Sequence, residues 1–299
     1  MHLLGNRRGF YFIRLALKEA FSNRVLLKPA LTLLFGALLL LFIFLVPLNM
    51  VIFFLDRDPL ALALIGFLCA VLLYVMFVWA DVSCLASAAI FDDLQTQTQP
   101  DPTSARLARK SGWREVLRFD LAYPSLSLRA RSGSKPRKVL SGVEGSADPK
   151  AWLKGLYLVK PLIALERLKL KDVPARIQDM VSRNLLRFDP ALVRVRRITF
   201  WLSLLFIILG IAAGTLVAIL LTPEGIKPVT QIMLAGSLGL VAGGLVALPG
   251  AALNAYARMI YHTAIYRWVI NVDQAGASQT AAQIPDILAQ TLNRQFQGQ

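Results

Sequence analysis

Arg258, His262 and Tyr266 recur every fourth residue in "YARMIYHTAIYRWV" (256–269) and would share one face of a helix. A histidine set between an arginine and a tyrosine can bind a phosphate or relay a proton near neutral pH. The same residues are also what a helix shows where it leaves a bilayer, with aromatic rings at headgroup depth and arginines beyond them. The exit reading is the simpler one, because the other histidine, His2, is terminal and offers no second metal ligand.

Asp81 is the second candidate, as the only charged residue between positions 59 and 91. Carboxylates inside membranes are commonly paired or belong to an ion path, and Arg258 or His262 is the natural partner. A carboxylate simply hydrated at the boundary is the plain alternative. The sequence has no H-E-x-x-H, phosphate-binding glycine loop, G-x-S-x-G or CxxC pair, so no catalytic residue, metal or cofactor is expected. Cys69 and Cys84 suit neither a zinc site nor a disulfide framework and read as small buried apolar residues.

The elements that must position these residues are set by hydropathy. At 56% hydrophobic, the chain groups its apolar residues in blocks: 30–55, 59–80, 198–221 and 229–252. Each is long enough, at about 1.5 Å per residue, to cross a hydrocarbon core of roughly 30 Å. The first is too long for the apolar part of a cleaved signal peptide. The expected architecture is an all-α polytopic membrane protein with four transmembrane helices in two hairpins, plus cytoplasmic amphipathic helices. Five or six spans are the alternative, depending on residues 152–168. That stretch is apolar but holds Lys154, Lys160 and Pro161, and burying Lys160 mid-membrane would cost about 2.5–3.5 kcal/mol. Half-helices lying at the surface or re-entering cost less.

The divisions expected are an N-terminal interfacial helix (1–28), a first hairpin (29–92), a basic cytoplasmic region (93–197) with a flexible insertion at 124–150, a second hairpin (198–272) and a polar tail (273–299). In residues 10–21, Phe10, Ile13, Leu17, Ala20 and Phe21 form an apolar stripe with Arg14 and Lys18 on another face. Over 174–188, Ile177, Met180, Val181, Leu185 and Phe188 form a stripe, with Asp172 as the cap and Pro174 in the first turn. Ile284, Ile287, Leu288 and Leu292 mark a short helix in the tail. Gly210 and Gly214 in the third span, and Gly239 and Gly243 in the fourth, lie on small-residue stripes that let helix backbones approach closely. Pro47 and Pro249 are expected to kink their helices. "SAAIFDD" (87–93) is similar to "HTAIYRW" (262–268), the trace of a parallel duplication of the two hairpins.

The net charge of +15 is concentrated on one side of this topology. Residues 1–28 hold six Lys/Arg against Glu19 alone, and residues 81–198 hold 22 against 12 Asp/Glu, whereas the hairpin connections hold only Arg57 and Lys227. The positive-inside bias puts the N-terminus, the central region and the tail in the cytoplasm. Arg194, Arg196 and Arg197, just before the third span, would face lipid headgroups. Cationic flanks meeting an anionic leaflet account for the charge, and no nucleic-acid recognition signature accompanies it.

"RLALKEAFSNRVLLKPALTLL", "LVKPLIALERLKLKDVPARIQDMVSRNLLR" and "AIYRW" together resemble uncharacterised prokaryotic multi-spanning membrane proteins. That family is distantly similar to the membrane domain of some glycerophosphodiester phosphodiesterases. The resemblance implies a proline and a glutamate in a hydrophobic stretch ahead of an amphipathic helix, here Pro161, Glu166 and 174–188. It implies no established activity, and six spans in many members. The expectation is therefore a non-enzymatic integral protein of a prokaryotic plasma (inner) membrane. Its basic cytoplasmic face would contact membrane lipids, mainly anionic, and also protein partners or a second copy, but no nucleic acid. A permease or channel subunit is the alternative, and a factor acting on lipid head groups is a further one.

Overall fold

The structure, a computed structural model, describes residues 2–54, 59–96, 102–132, 152–183, 193–221, 228–275 and 285–293. In chain order the helices are α1 (His2–Ser22), α2 (Arg24–Phe54), α3 (Pro59–Thr96), α4 (Pro102–Ser132), a 3-10 helix (Trp152–Leu158), α5 (Val159–Leu165), α6 (Val173–Ser182), α7 (Val193–Leu221), α8 (Pro228–Ala275) and α9 (Asp286–Asn293). No strand occurs among the described residues. Four helices are long and apolar enough to cross a membrane, with spans at Leu31–Val51, Ala63–Thr96, Ile198–Val217 and Ala235–Ala275. The 3-10 helix and α5 are each too short to span, so the count among the described residues is four.

The chain forms two compact units. One comprises Ala30–Ala80 and Thr199–Ala255, and the other Met1–Pro29, Asp81–Ile198 and Tyr256–Gln299. In the first, the apolar side chains point outward: Phe35, Ile211, Ile219 and Leu220 are each 65–71% exposed. Such a surface is stable only against hydrocarbon. Small residues make the contacts between its helices. A Cβ on Gly214 would stand 2.2 Å from the Gly239 carbonyl oxygen, and one on Gly210 would stand 2.6 Å from that of Gly243. The α7 and α8 backbones therefore touch at the four glycines expected to pack. Trp79 fills the space beside Gly36 and donates to the Leu33 carbonyl at 3.3 Å, joining α3 to α2. Asn49 and Ser237 exchange hydrogen bonds of 2.8 and 3.0 Å between α2 and α8. Each thereby satisfies a polar group that lipid could not. Both α2 and α8 continue through their internal prolines, Pro47 and Pro249.

The second unit carries the charge. Between α1 and α2, Asn23 caps the new helix by accepting the Val25 N–H at 3.1 Å. The face that α1 buries differs from the stripe expected. Phe12, Ile13, Ala16 and Ala20 are inside, while Phe10 and Phe21 are exposed beside Arg14 and Lys18. The inward face is selected by fit: the Phe12 ring meets Tyr261 edge-on at 4.9 Å, and Gly9 leaves room for Ile198. α9 packs on α1 through Ile287 and Leu288; Ile284 lies outside the described residues.

Residues 124–132, read from sequence as the start of a flexible insertion, are the last turns of α4; residues 133–151 lie outside the described residues. The inward face of α4 is Ala105, Ala108, Gly112, Val116 and Phe119, against α5. The helix continues beyond that stripe to Ser132, through Pro124. α6 starts at Val173 with Pro174 in its first turn, as expected, but Asp172 makes no side-chain cap: its backbone is already helical, and its carbonyl simply accepts the Arg176 N–H. Ile177 and Met180 are buried; Leu185 and Phe188 lie outside the described residues.

Candidate functional site

Four elements of the charged unit, α3, α4, α5 and α8, meet in one buried cluster. Asp81 on α3 is 2% exposed and is surrounded by buried Ser83, Cys84 and Leu85. Its Oδ1 accepts from the Arg258 guanidinium at 3.1 Å and its Oδ2 accepts from Lys160 Nζ. Lys160, on α5, also pairs with Asp120 of α4 at 2.9 Å and lies 5.8 Å from the Phe119 ring centroid. Two acids and two bases therefore balance in a nearly dry site, the condition under which buried charge is tolerated. Asp120 Oδ2 is buried without a hydrogen-bond partner. Burial, reinforced by the neighbouring Asp81 charge, pushes the Asp120 carboxyl up to about 6 against the pull of Lys160.

A second network surrounds Glu166, the residue that closes α5. The carboxylate accepts from Arg176 Nε at 3.2 Å and from the Tyr266 hydroxyl at 2.9 Å. Arg176 reaches Asp179 at 3.0 Å, Asp179 holds Arg183 at 2.9 Å, and Arg183 reaches Asp273 at 3.2 Å. The turn after α5 is thereby tied to α6 and α8. Arg167, with φ of 55°, adopts the left-handed conformation that reverses the chain there. Nearer the end of α3, Asp92 and Arg267 pair at 3.0 Å. They occupy matching places in the two similar segments "SAAIFDD" and "HTAIYRW".

The helical ladder read from the sequence is thus divided among three tasks. Arg258 joins Asp81, the pairing weighed against a hydrated carboxylate, and Tyr266 holds Glu166, while the His262 ring lies against Tyr157 at 6.0 Å between centroids. Sequence reasoning missed Asp120 and read Lys160 only as an obstacle to a span. Each is an isolated charge on an otherwise apolar helical face, which marks it for burial without showing which group it meets. Cys84 is buried and Cys69 half-buried, both free, and among the described residues no cluster of His, Cys, Asp and Glu could hold a metal ion. The Arg194, Arg196 and Arg197 side chains lie outside those described.

Outside the spans, α4 presents a different chemistry. Arg106, Lys110, Arg114 and Arg118 recur every four residues and all are exposed, with Leu107, Trp113 and Leu121 exposed among them. The Arg114 guanidinium lies 5.3 Å from the Trp113 ring centroid. Of the two acids described on this helix, Asp120 faces inward and Glu115 is occupied by Arg118 and the Leu170 N–H.

Four apolar spans and a unit of paired charges define an all-helical polytopic membrane protein. In comparisons with known proteins, no family matches the chain, and neither a curated protein nor a solved structure does so.

Proposed function

We propose that this protein is a non-enzymatic integral protein of a prokaryotic plasma membrane that gathers anionic lipid at a basic cytoplasmic face. The observation that carries the reading is the outward face of α4, four cations at helical spacing interleaved with Leu107, Trp113 and Leu121. Cations reach headgroup phosphates while the apolar side chains enter the acyl boundary, which is how amphipathic helices lie on a membrane. Each basic residue near an anionic leaflet contributes about 1 kcal/mol. α1 offers the same combination on a smaller scale, with Phe10, Arg14, Lys18 and Phe21 on one exposed face. Both termini and α4 lie on the cytoplasmic side by the positive-inside bias. The resemblance to uncharacterised prokaryotic multi-spanning membrane proteins fits a membrane role without an activity. Protein partners, or a second copy, would meet the same basic face.

The test is native mass spectrometry of the full-length protein released from nanodiscs of mixed zwitterionic and anionic phospholipid. Wild type retains an excess of anionic lipid that shrinks as salt rises, and R106Q/K110Q/R114Q loses most of it. Retention in proportion to the bulk mixture would refute the reading.

A second reading, a permease or channel subunit, draws on the unpartnered Asp120 Oδ2 within the buried charge cluster. Ion or solute flux in proteoliposomes that is lost in D120N would support it; flux unchanged from protein-free vesicles would exclude it.

A further inference from the structure

The α4 face ends in a groove, and the groove is more selective in its chemistry than the helix. Arg118, Leu121 and Ala122 of α4 line it on one side, and Lys169, Leu170 and Lys171 line it on the other, with Glu115 at its base. Its volume is about 490 Å³, enough for a phosphorylated headgroup and the start of its glycerol backbone.

Three features make this a fixed site rather than a chance meeting of surface lysines. The loop bearing both lysines is pinned at Leu170, whose N–H donates to Glu115 Oε2 at 2.9 Å while its side chain is buried. The Asp172 N–H donates to the Lys169 carbonyl at 2.9 Å, and Val173 is buried immediately after, so the loop is held at both ends. The alternation that buries Leu170 turns Lys169 and Lys171 outward together, and both are exposed. With the loop backbone held before binding, only the cationic side chains lose freedom when an anion arrives. The one carboxylate in the lining is already engaged, by Leu170 N–H at Oε2 and by Arg118 at Oε1, 2.9 Å away. Arg118 remains 68% exposed and retains donors for a second partner.

We propose that this groove is a binding site for the headgroup of a doubly charged anionic phospholipid. The balance of three cations against Glu115 leaves two positive charges, which a phosphomonoester neutralises and a singly charged phosphodiester does not. Leu121, 60% exposed at the rim, supplies the apolar contact for the lipid beyond its phosphate. A membrane lipid is chosen over a soluble phosphate ester because the groove continues the cationic and apolar face of α4. The inference rests on the lipid-gathering reading and sharpens it from a general attraction to a choice among lipids.

The test uses the full-length protein in nanodiscs of phosphatidylcholine with equal small fractions of phosphatidylglycerol and phosphatidic acid. Wild type, R118Q/K169Q/K171Q and R106Q/K110Q/R114Q are compared by native mass spectrometry, each checked for an unchanged thermal midpoint. Wild type is expected to retain phosphatidic acid over phosphatidylglycerol by about tenfold, a difference of about 1.4 kcal/mol. The groove variant should lose that preference yet keep an excess of both anionic lipids over phosphatidylcholine, whereas the helix variant should keep the preference and lose much of the excess. Equal retention of the two anionic lipids by wild type, or a preference that survives in the groove variant, would overturn the groove. Displacement of phosphatidic acid by millimolar inorganic phosphate would also overturn it, since a free phosphate would then be the occupant. Absence of any anionic excess in wild type would instead remove the underlying lipid reading.

Discussion

Asp81 and Asp120 share Lys160, yet they hold it on unequal terms. Asp81 has a second cation in Arg258, whereas Asp120 has one oxygen on the lysine and the other without a partner. Removing one member of a buried pair leaves the rest uncompensated, so Asp81→Asn should cost about 3–5 kcal/mol of stability. Asp120→Asn should cost about 1 kcal/mol or less, because the amide oxygen can still accept from Lys160 while the cost of burying a charge disappears. Denaturant titration of both variants in detergent checks the order, and an equal loss would mean that the two carboxylates are equivalent. The pH dependence has a definite sign. Asp120 is pushed up from 3.8 to about 6, so between those values the folded chain binds more protons there than the unfolded one. Stability from this group is therefore present below about 4 and is lost as pH rises through about 6. Glu19, raised by burial and by Asp286 on α9, acts in the same direction. The gap between the thermal midpoints of wild type and D120N should shift in favour of D120N as pH is raised from about 4 to 7. A constant gap would contradict it.

At the level of the helix, the small residues separate packing from mere composition. Gly214 has the Gly239 carbonyl where its Cβ would go, so the Gly214→Ala change must force two backbones apart, at about 1–3 kcal/mol. Gly236 has nothing within 4 Å, and Gly236→Ala should be neutral or stabilising by up to about 1 kcal/mol through helix propensity. Thermal unfolding in lipid nanodiscs distinguishes them, and a similar response would show that the α7 and α8 backbones do not meet at Gly214. The stripe was legible in the sequence because spacing alone puts glycines on one face. The face that α1 buries was not: Phe10, Phe12, Ile13, Leu17 and Phe21 are all apolar, and periodicity gives no way to tell the stripe that meets protein from one left to lipid. The extent of α4 was obscured for a related reason. Its last turns carry no stripe to read, and Pro124 with three serines in 124–132 reads as a loop.

Over the whole chain, the spans were visible from hydropathy because each is a local property of some twenty residues. The charge cluster was only half visible. Asp81 and Arg258 stand out as lone charges at membrane exits, but Lys160 and Asp120 sit in the middle region, where a basic background hides any single pair. Pairing at such separations is decided by tertiary packing, and one sequence does not encode it in any short pattern. That separation also has a bearing on synthesis. The charged unit is collected from three stretches of chain, and Arg258 follows Asp81 by 177 residues. At about 5–20 residues per second, Asp81 is incorporated roughly 10–35 s before Arg258. For the later part of that interval Lys160 is already made, and only the oxygen that Arg258 will take must stay hydrated or be sheltered by the insertion machinery. A nascent chain halted before residue 258 would hold Asp92 without Arg267, and Asp81 and Glu166 with only Lys160 and Arg176 of their partners, a charge imbalance that separates an unfinished copy from a finished one.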